Sequence, residues 1–426
     1  MVNKLRTEKT FQIFNPYIIS SVILILLVYA VKIPVRSKYK IIPFSDLSST
    51  FSITGKIYSN PVKTRNGKYY SCDFLCSSMK NLDSGIETFS EGKIPVLLKT
   101  ELVEAHYPGK LYSSNKSSEI PVFDFYKSVK IHGRFINEKL FISNNAEKSD
   151  EKEKLLDILF NFRAKNRINL KRLMYAWGSA GGLLMALLTG MREYTDSNIS
   201  DMFRQAGLSH ILALSGMHLN LFSGSIKKLT FFKINEHIIE LFQIITVIIF
   251  VWFAGISPSL LRAAVFSIIS ITGKLFNLKK INLLKILSVT FLIHITIKPS
   301  DAFELSFMLS YGALAGILIF SRISRFLSIK KMPSVLSESF SASLGAQGLT
   351  APLCIKKTGL FSPVGIFSTL VISPMVTIFI YSGLFLIILC LIFPVLVPYS
   401  AFLMKILYTS IIRITAVFSA VPQIHF

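Results

Sequence analysis

The feature that most constrains this chain is a series of long apolar segments that fills the sequence after Met202. They run roughly over 203–225, 236–256, 257–273, 284–298, 303–321, 335–355, 361–393 with breaks, and 395–420. The hydrocarbon core of a bilayer offers no hydrogen bonds to a backbone, so segments of this length cross it as helices. The sequence therefore predicts a polytopic α-helical membrane protein, in line with a hydrophobic content of 51%.

The chain carries a net charge of +23, and most of the excess lies in the apolar two-thirds. Basic clusters at 227–233, 274–285 and 322–331 are separated by pairs of segments, so all three fall on one side of the membrane. One explanation is that they mark cytoplasmic loops; the other is a polyanionic substrate that passes through this region. If the clusters mark cytoplasmic loops, the region before Met202 lies outside, although the basic residues at 32–40 favour the opposite side.

The first 150 residues have a different composition. An apolar stretch at 18–31 predicts a transmembrane anchor within 1–33 and not a removed signal peptide. From 34 to 150, short alternating segments separated by Gly, Asn, Ser and Pro predict a small extracytoplasmic all-β barrel of the OB type. The membrane domain then covers 151–426, and its first part, 154–172, predicts an interfacial helix with an apolar face and a basic remainder.

Barrels of this type often present basic and aromatic side chains to oligonucleotides. The alternative for this segment is a solvated hairpin with aromatic cross-strand pairs. No metal site and no cofactor is expected, and a strand through Cys72 and Cys76 would hold their Cα atoms too far apart for a disulfide. The candidate nucleic-acid residues of the barrel are Lys63, Arg65, Lys68, Tyr69 and Tyr70.

Polar side chains interrupt the apolar segment RQAGLSHILALSGMHLNLFSG at 204–224. On a single helix, His210, Ser215 and His218 share one arc, and Gly216 lies on the opposite side. Neither side is then purely apolar, which predicts a helix inside a bundle with one side on a wet cavity. The alternative is that both histidines donate to backbone carbonyls of neighbouring helices.

Two further segments contain groups that are unusual in a membrane. In FAGISPSLLRAA, Ser257 is placed to cap a helix that begins at Pro258, and Arg262 follows one turn later. A buried arginine needs an anion, which Asp301, Glu304 or a phosphate in transit would supply. The third segment, 343–376, is rich in Gly and Pro and predicts broken helices beside a cavity, with Gln347 among its polar members.

These segments resemble the membrane domain of the ComEC-type competence proteins, the inner-membrane channel family for DNA uptake. AGLSHILALSGMH at 206–218 follows the family's central motif, and FAGISPSLLRAA at 253–264, ELSFMLSYGA at 304–313 and GAQGLTAPL at 345–353 are similar to its later ones. PVFDFYKSVKIHG at 121–133 is similar to an element of its OB-like domain. Glu304 stands where the family commonly has Gln.

The resemblance implies transport of single-stranded DNA across the cytoplasmic membrane, without catalysis. Many family members carry a metallo-β-lactamase-like domain, but this sequence has no H-x-H-x-D-H-type cluster, so a separate nuclease is expected. Other expected partners are membrane lipid, a DNA receptor, a cytoplasmic ATPase or single-strand-binding protein, and further copies of the chain. The candidate residues along the DNA path are His210, Ser215, Gly216, His218, Ser257, Pro258, Arg262, Glu304, Ser306 and Gln347.

Two other functions remain open at this point. One is a transporter for another polymer or an amphipathic solute, because basic loops are also what membrane topology demands. The other is an intramembrane hydrolase that uses Ser215 with His210 or His218. A serine nucleophile needs a held base and usually a third orienting group, and no acid lies near these residues in sequence.

Overall fold

The computed structural model describes residues 20–21, 24–25, 41–42, 50–64, 66–81, 85–107, 121–136, 140–149, 155–192, 194–195, 197–212, 216–227, 234–276, 282–327 and 334–425. Most of the predicted N-terminal anchor lies outside the described residues, as do Arg65 and Ser215. The described part consists of a β-barrel followed by a helical body.

The barrel confirms the predicted all-β domain. Five strands close on themselves in the order β5-β7-β6-β2-β4, with β4 paired back to β5. The β5–β7 pair is parallel and the other four are antiparallel, and helix α1 (Thr100–Glu104) lies between β5 and β6 in sequence. This is an OB-like barrel. The strands are β1 (Ile41–Ile42), β2 (Thr50–Ile57), β3 (Val62–Lys63), β4 (Tyr69–Asn81), β5 (Glu87–Lys99), β6 (Ser128–Ile136) and β7 (Leu140–Lys148).

Buried and more exposed residues alternate along the strands, and the buried ones form the barrel core. Tyr70, Cys72, Phe74 and Cys76 of β4 all point inward and are at most 3% exposed. Both cysteines are free thiols, and burial raises the pKa of each to about 12. They are core residues, because a strand places successive inward positions on the same face and not within bonding distance.

The helical body contains four helices long and apolar enough to cross a membrane, namely Glu236–Ala254, Pro258–Leu275, Gly365–Ile392 and Pro394–Ser419, the last including a short 3-10 turn. The fold class is thus a helical membrane protein with a small all-β domain. The helices are α2 (Leu155–Ala176), α3 (Gly178–Thr189), α4 (Ser197–Gln205), α5 (Ser209–Leu212), α6 (Gly216–Lys227), α7 (Glu236–Ala254), α8 (Pro258–Leu275), α9 (Leu283–Ile297), α10 (Leu305–Leu327), α11 (Ser334–Thr358), α12 (Gly365–Ile392) and α13 (Val397–Ser419).

Two predicted segments differ from the structure. The segment 203–225 is not one helix, because α4 ends at Gln205 before a turn in which Gly207 has φ +74°. The predicted helix is therefore interrupted before His210, whereas the shared arc of His210, Ser215 and His218 stays a prediction because Ser215 lies outside the described residues. The region 343–376 was expected to be broken at several points, yet α11 runs through Pro352 and α12 through Pro374. The described interruption lies between them, where strand β8 (Leu360–Phe361) pairs with β9 (Ile424–His425).

Helix α3 forms the centre of the helical body. All of its residues from Ala180 to Thr189 are buried, and it packs with α12 and α13 in the largest apolar cluster. Gly383 of α12 permits this approach, since a Cβ there would lie 2.5 Å from a methyl group of Leu184. A small residue of α12 thus lets α3 and α12 come close, as is usual inside membranes.

Helix α2 joins the barrel to the helical body through its basic face. Arg167 Nη1 lies 2.9 Å from Asp124 Oδ1 of the barrel, and Lys171 Nζ donates to the hydroxyl of Tyr107 at 2.9 Å. Arg163 reaches the other way and donates to the carbonyl oxygen of Phe253, at the end of α7, at 3.3 Å. Burial, together with repulsion from Arg167, lowers the pKa of Arg163 to about 10, and Asp124 opposes the shift.

Helix α2 has the predicted exposed apolar side chains, but most of its basic side chains are buried, and its position at the membrane interface stays a prediction. The apolar side chains of Ile158, Leu159 and Phe162 are 53–63% exposed, as such a helix requires. Among its basic side chains Lys165 is exposed, whereas Arg163, Arg167, Lys171 and Arg172 are buried at the contacts with the barrel and with the end of α7. The same contacts place the barrel beside the end of α7 and the start of α8, and therefore away from the start of α7 at Glu236 and the end of α8 at Leu275.

Candidate functional site

The turn at 206–208 packs directly on the start of α12. A Cβ on Gly207 would lie 2.7 Å from the Cα of Gly365, so the two glycines touch through their backbones. Ser368 Oγ donates to the carbonyl oxygen of Ala206 at 2.7 Å and fixes the contact. Gln347 of α11 meets the same point, since a Cβ on Gly365 would lie 2.8 Å from its Nε2.

The start of α6 packs on α8. A Cβ on Gly216 would lie 3.3 Å from the Cβ of Ala263 and 3.4 Å from Nη2 of Arg262, so the missing side chain leaves room for the guanidinium group. Two residues later, His218 is fully buried. His210 of α5 is exposed, so the structure does not bring the two histidines to one surface.

Arg262 is the central charge of this region. Its side chain is buried with 8% exposure, and its guanidinium carbon lies 5.9 Å from the centre of the Tyr311 ring of α10. No described residue gives it a hydrogen bond or an ion pair, and its Nε is fully buried. The expected pairing with Asp301 or Glu304 is wrong, because Asp301 pairs elsewhere and Glu304 is exposed.

Helices α10 and α11 complete a circuit of contacts. Gly312 of α10 faces Thr350 and Leu353 of α11, and one turn later Gly316 meets Gly345 with no side chain between the backbones. Each of the four motif segments thus contacts the next one along the chain. The segments are 206–218, 253–264, 304–313 and 345–353. Gln347 then closes the circuit through Gly365 and the turn at 206–208.

The family model of the Competence protein matches residues 187–426, more than half of the chain. The chain belongs to this family. It is 22% identical over 203 residues to ComE operon protein 3 of Bacillus subtilis (strain 168), over 47% of this chain. The chain covers 25% of that relative's length. No solved structure matches the chain.

In this competence-family chain the whole contact circuit lies within the matched region, whereas the barrel and α2 precede it. The segments quoted above for their resemblance are therefore the segments that the fold brings together. Their glycines act at the helix contacts, and Arg262 is the buried charge among them.

A buried polar chain beside Arg262 was missed by the sequence reasoning. The Tyr311 hydroxyl lies 3.2 Å from Nδ1 of His294, and Nε2 of His294 lies 3.2 Å from Oδ2 of Asp301. Oδ1 of Asp301 lies 2.7 Å from Nζ of Lys298, which is 43% exposed. Histidine and aspartate are both fully buried. The only signal in the sequence was a histidine and an aspartate within an apolar stretch.

The remaining candidates of the membrane domain fall into two groups. Ser257 caps α8 as predicted, since its Oγ accepts from the Leu260 amide at 3.3 Å and Pro258 is the first helical residue. Ser306 is exposed at the start of α10. Among the residues that the structure describes, no three of His, Cys, Asp or Glu are grouped to hold a metal ion.

The predicted nucleic-acid surface of the barrel differs from the structure, because some of its residues are buried or paired. Tyr70 is wrong as a stacking residue, because it is fully buried and its hydroxyl donates to Glu104 at 2.7 Å. Lys63 is paired with the same carboxylate at 2.6 Å. Tyr69 is half-buried and Lys68 is exposed.

Basic and aromatic groups do alternate on another part of the barrel. Lys93 Nζ lies 3.2 Å above the Tyr58 ring, and Lys56 Nζ lies 4.1 Å above the ring of Tyr126. Tyr126 in turn packs on Phe160 of α2 with ring centres 4.7 Å apart. Sequence reasoning missed this surface because its members come from four separate segments.

Proposed function

We propose that this chain carries single-stranded DNA across the cytoplasmic membrane during DNA uptake. The observation that supports this most directly is Arg262, a buried cation that has no anionic partner among the described residues. A buried charge of this kind is costly unless a counter-ion visits it. A phosphodiester backbone supplies one negative charge per nucleotide, and arginine is well suited to bind phosphate.

The proposed path runs through the circuit of helix contacts. Arg262 and Gln347 would meet the phosphates, and His210, Ser215, Gly216 and His218 would line the first segment. Ser257, Pro258, Glu304 and Ser306 belong to the same set of proposed path residues. Each contact has to be weak enough to release the strand, because a polymer must keep moving.

We place the barrel outside the cell and the membrane domain across the inner membrane in several passes. Support comes from Arg163, whose bond to the end of α7 holds the barrel away from the start of α7 and the end of α8, next to which the basic segments 227–233 and 274–285 lie in the sequence. Basic loops favour the cytoplasmic side. The proposed division is therefore an anchor at 1–33, an OB-like domain at 34–150 and the channel domain at 151–426.

In this arrangement the chain transports and does not cut DNA. A DNA receptor outside, a separate nuclease, and an ATPase or single-strand-binding protein inside would be the partners. Further copies of the chain are also compatible with the exposed apolar helices, but lipid covers such surfaces equally well.

The test uses the full-length chain in vesicles that enclose a single-strand-binding protein, which traps any strand that enters. We expect a labelled oligonucleotide to enter, and an uncharged peptide nucleic acid of the same sequence to stay outside. Arg262→Gln should lower the entry rate at limiting DNA about tenfold or more, since a hydrogen bond to a charged group contributes about 1.5–3 kcal/mol.

The matched control is Arg413→Gln, which removes an exposed arginine from α13 and should leave entry unchanged. Equal entry of the charged and uncharged strands would refute a phosphate-dependent path. Entry that is intact in Arg262→Gln, at normal amounts of folded protein, would remove this residue from the path.

A further inference from the structure

The chain of buried polar groups between Lys298 and Tyr311 crosses an apolar cluster. His294 and Asp301 are both fully buried, and the ring of Phe307, a member of this cluster, lies against His294 with ring centres 4.9 Å apart. For stability alone, a buried ion pair of this kind is often no better than well-packed apolar side chains. Ionisable residues inside membrane domains mark functional sites by default. The pair therefore calls for a functional explanation.

The two ends of this chain lie in different environments. Lys298 is 43% exposed at the end of α9, on the same side of the helical body as the barrel. The other end is Tyr311, whose ring lies against Arg262. A continuous series of contacts thus joins an exposed ammonium group to the buried guanidinium of the proposed DNA path.

The hydrogen-bond roles depend on one proton. The Asp301 carboxylate accepts a hydrogen bond from Nε2 of His294, so in the neutral imidazole Nδ1 is an acceptor, to which the Tyr311 hydroxyl donates. When His294 is protonated, Nδ1 becomes a donor to the Tyr311 oxygen. The hydroxyl proton must then turn to the second acceptor within reach, the carbonyl oxygen of Thr290 at 3.3 Å.

We infer that His294 and Asp301 are positioning residues that make phosphate capture at Arg262 depend on protonation. The inference rests on the proposed function. Protonation of His294 turns the Tyr311 hydroxyl away from the imidazole and adds a positive charge next to the tyrosine whose ring lies against Arg262. Both changes favour an anion at Arg262, and loss of the proton favours its release.

Histidine suits this role because its proton exchanges within the physiological range. The charged and titratable groups that face His294 among the described residues are Asp301, Lys298, Tyr311 and, beyond the ring, Arg262. Thermodynamic linkage is reciprocal. If protonation of His294 raises the affinity for phosphate by a given factor, a bound phosphate must raise the proton affinity of His294 by the same factor.

The experiment measures binding of a fluorescent thymidine oligonucleotide to the full-length chain in lipid nanodiscs, at constant salt and from about pH 5 to about pH 8. We expect the affinity of the wild type to fall about tenfold across this range, which corresponds to a linkage of about one pKa unit. His294→Gln should bind with little pH dependence. Asp301→Asn should shift the transition to lower pH, because the imidazolium loses its carboxylate partner.

The matched control is His237→Gln, which removes an exposed histidine from α7 and should keep the wild-type profile. Binding by the wild type that does not vary with pH would overturn the inference and leave the proposed function intact. The same holds if His294→Gln keeps the full pH dependence. If one variant fails to fold, the other decides by the same criterion. A wild type that binds no oligonucleotide at any pH would reject the proposed function and this inference together.

Discussion

Alanine substitutions at three glycines of α10 and α11 should have different effects, although the chemical change is the same. Gly312 and Gly316 of α10 form a GxxxG pair one turn apart on the face that meets α11. Such pairs let two helix backbones approach closely inside a membrane. At Gly316 a Cβ would lie 2.1 Å from the carbonyl oxygen of Gly345, whereas ordinary contact begins at 3.4 Å.

The two helices would have to separate by about the difference between these distances, 1.3 Å. Because the obstacle is backbone and not a flexible side chain, the cost lies near the upper end of the usual range for overpacking, about 3 kcal/mol. Alanine gains about 1 kcal/mol over glycine inside a helix. Gly316→Ala should therefore destabilise the protein by about 2 kcal/mol.

The matched variants lie on the same two helices. A Cβ on Gly348 of α11 meets nothing within 4 Å, so Gly348→Ala should stabilise by about 1 kcal/mol. Gly312→Ala should behave similarly, since its nearest neighbour would be 3.6 Å away. The difference between Gly316→Ala and Gly348→Ala, in which helix propensity cancels, is then about 3 kcal/mol.

The assay is unfolding of the full-length chain in mixed micelles by increasing fractions of a denaturing detergent, followed by far-ultraviolet circular dichroism. Gly316→Ala should shift the midpoint to less denaturant and Gly348→Ala to more. Equal shifts of the two variants, or a stabilising effect of Gly316→Ala, would refute the close backbone contact of α10 and α11.

Three further predictions concern the barrel and its junctions. Arg167→Met should destabilise the barrel by about 3–5 kcal/mol because it leaves the Asp124 carboxylate buried without its 2.9 Å partner, and changing Asp124 to leucine as well should restore much of the loss in the same unfolding assay. Cys72 and Cys76 should resist maleimide at pH 8 in the folded protein, because a thiol with a pKa of about 12 is ionised in about one molecule in ten thousand; rapid labelling without denaturant would contradict their burial. Gly207→Ala should lower the thermal midpoint, since φ +74° and a contact of 2.7 Å with the first residue of α12 both oppose a side chain; an unchanged midpoint would argue against this turn.

Several features follow from local sequence and were predictable. Hydropathy over a window of twenty residues sets whether a segment can lie in a bilayer, so the helices from α7 onward fall close to their predicted limits. Alternation sets which side of a strand is buried, so the all-β domain was evident as well. The start of α8 at Pro258 behind Ser257 depends only on neighbouring residues.

Other features depend on long-range contacts that local sequence does not encode. Hydropathy did not show that the segment 203–225 turns at Gly207, because that turn is stabilised by contact with α12. Nor did it show that Tyr70 points into the barrel and not to solvent, since register depends on the pairing partner.

The sequence by itself determined that this is a competence-family membrane protein with a buried arginine at the start of α8, because its motifs and hydropathy are properties of contiguous residues. Only the tertiary structure decided which groups surround that arginine and how those groups pair with one another. Asp301 is taken by His294 and Lys298, and Arg262 lies against Tyr311 with no carboxylate within 4.0 Å among the described residues. The physical reason is that a charge can be satisfied by any group that the fold brings within reach, and helix packing makes that choice.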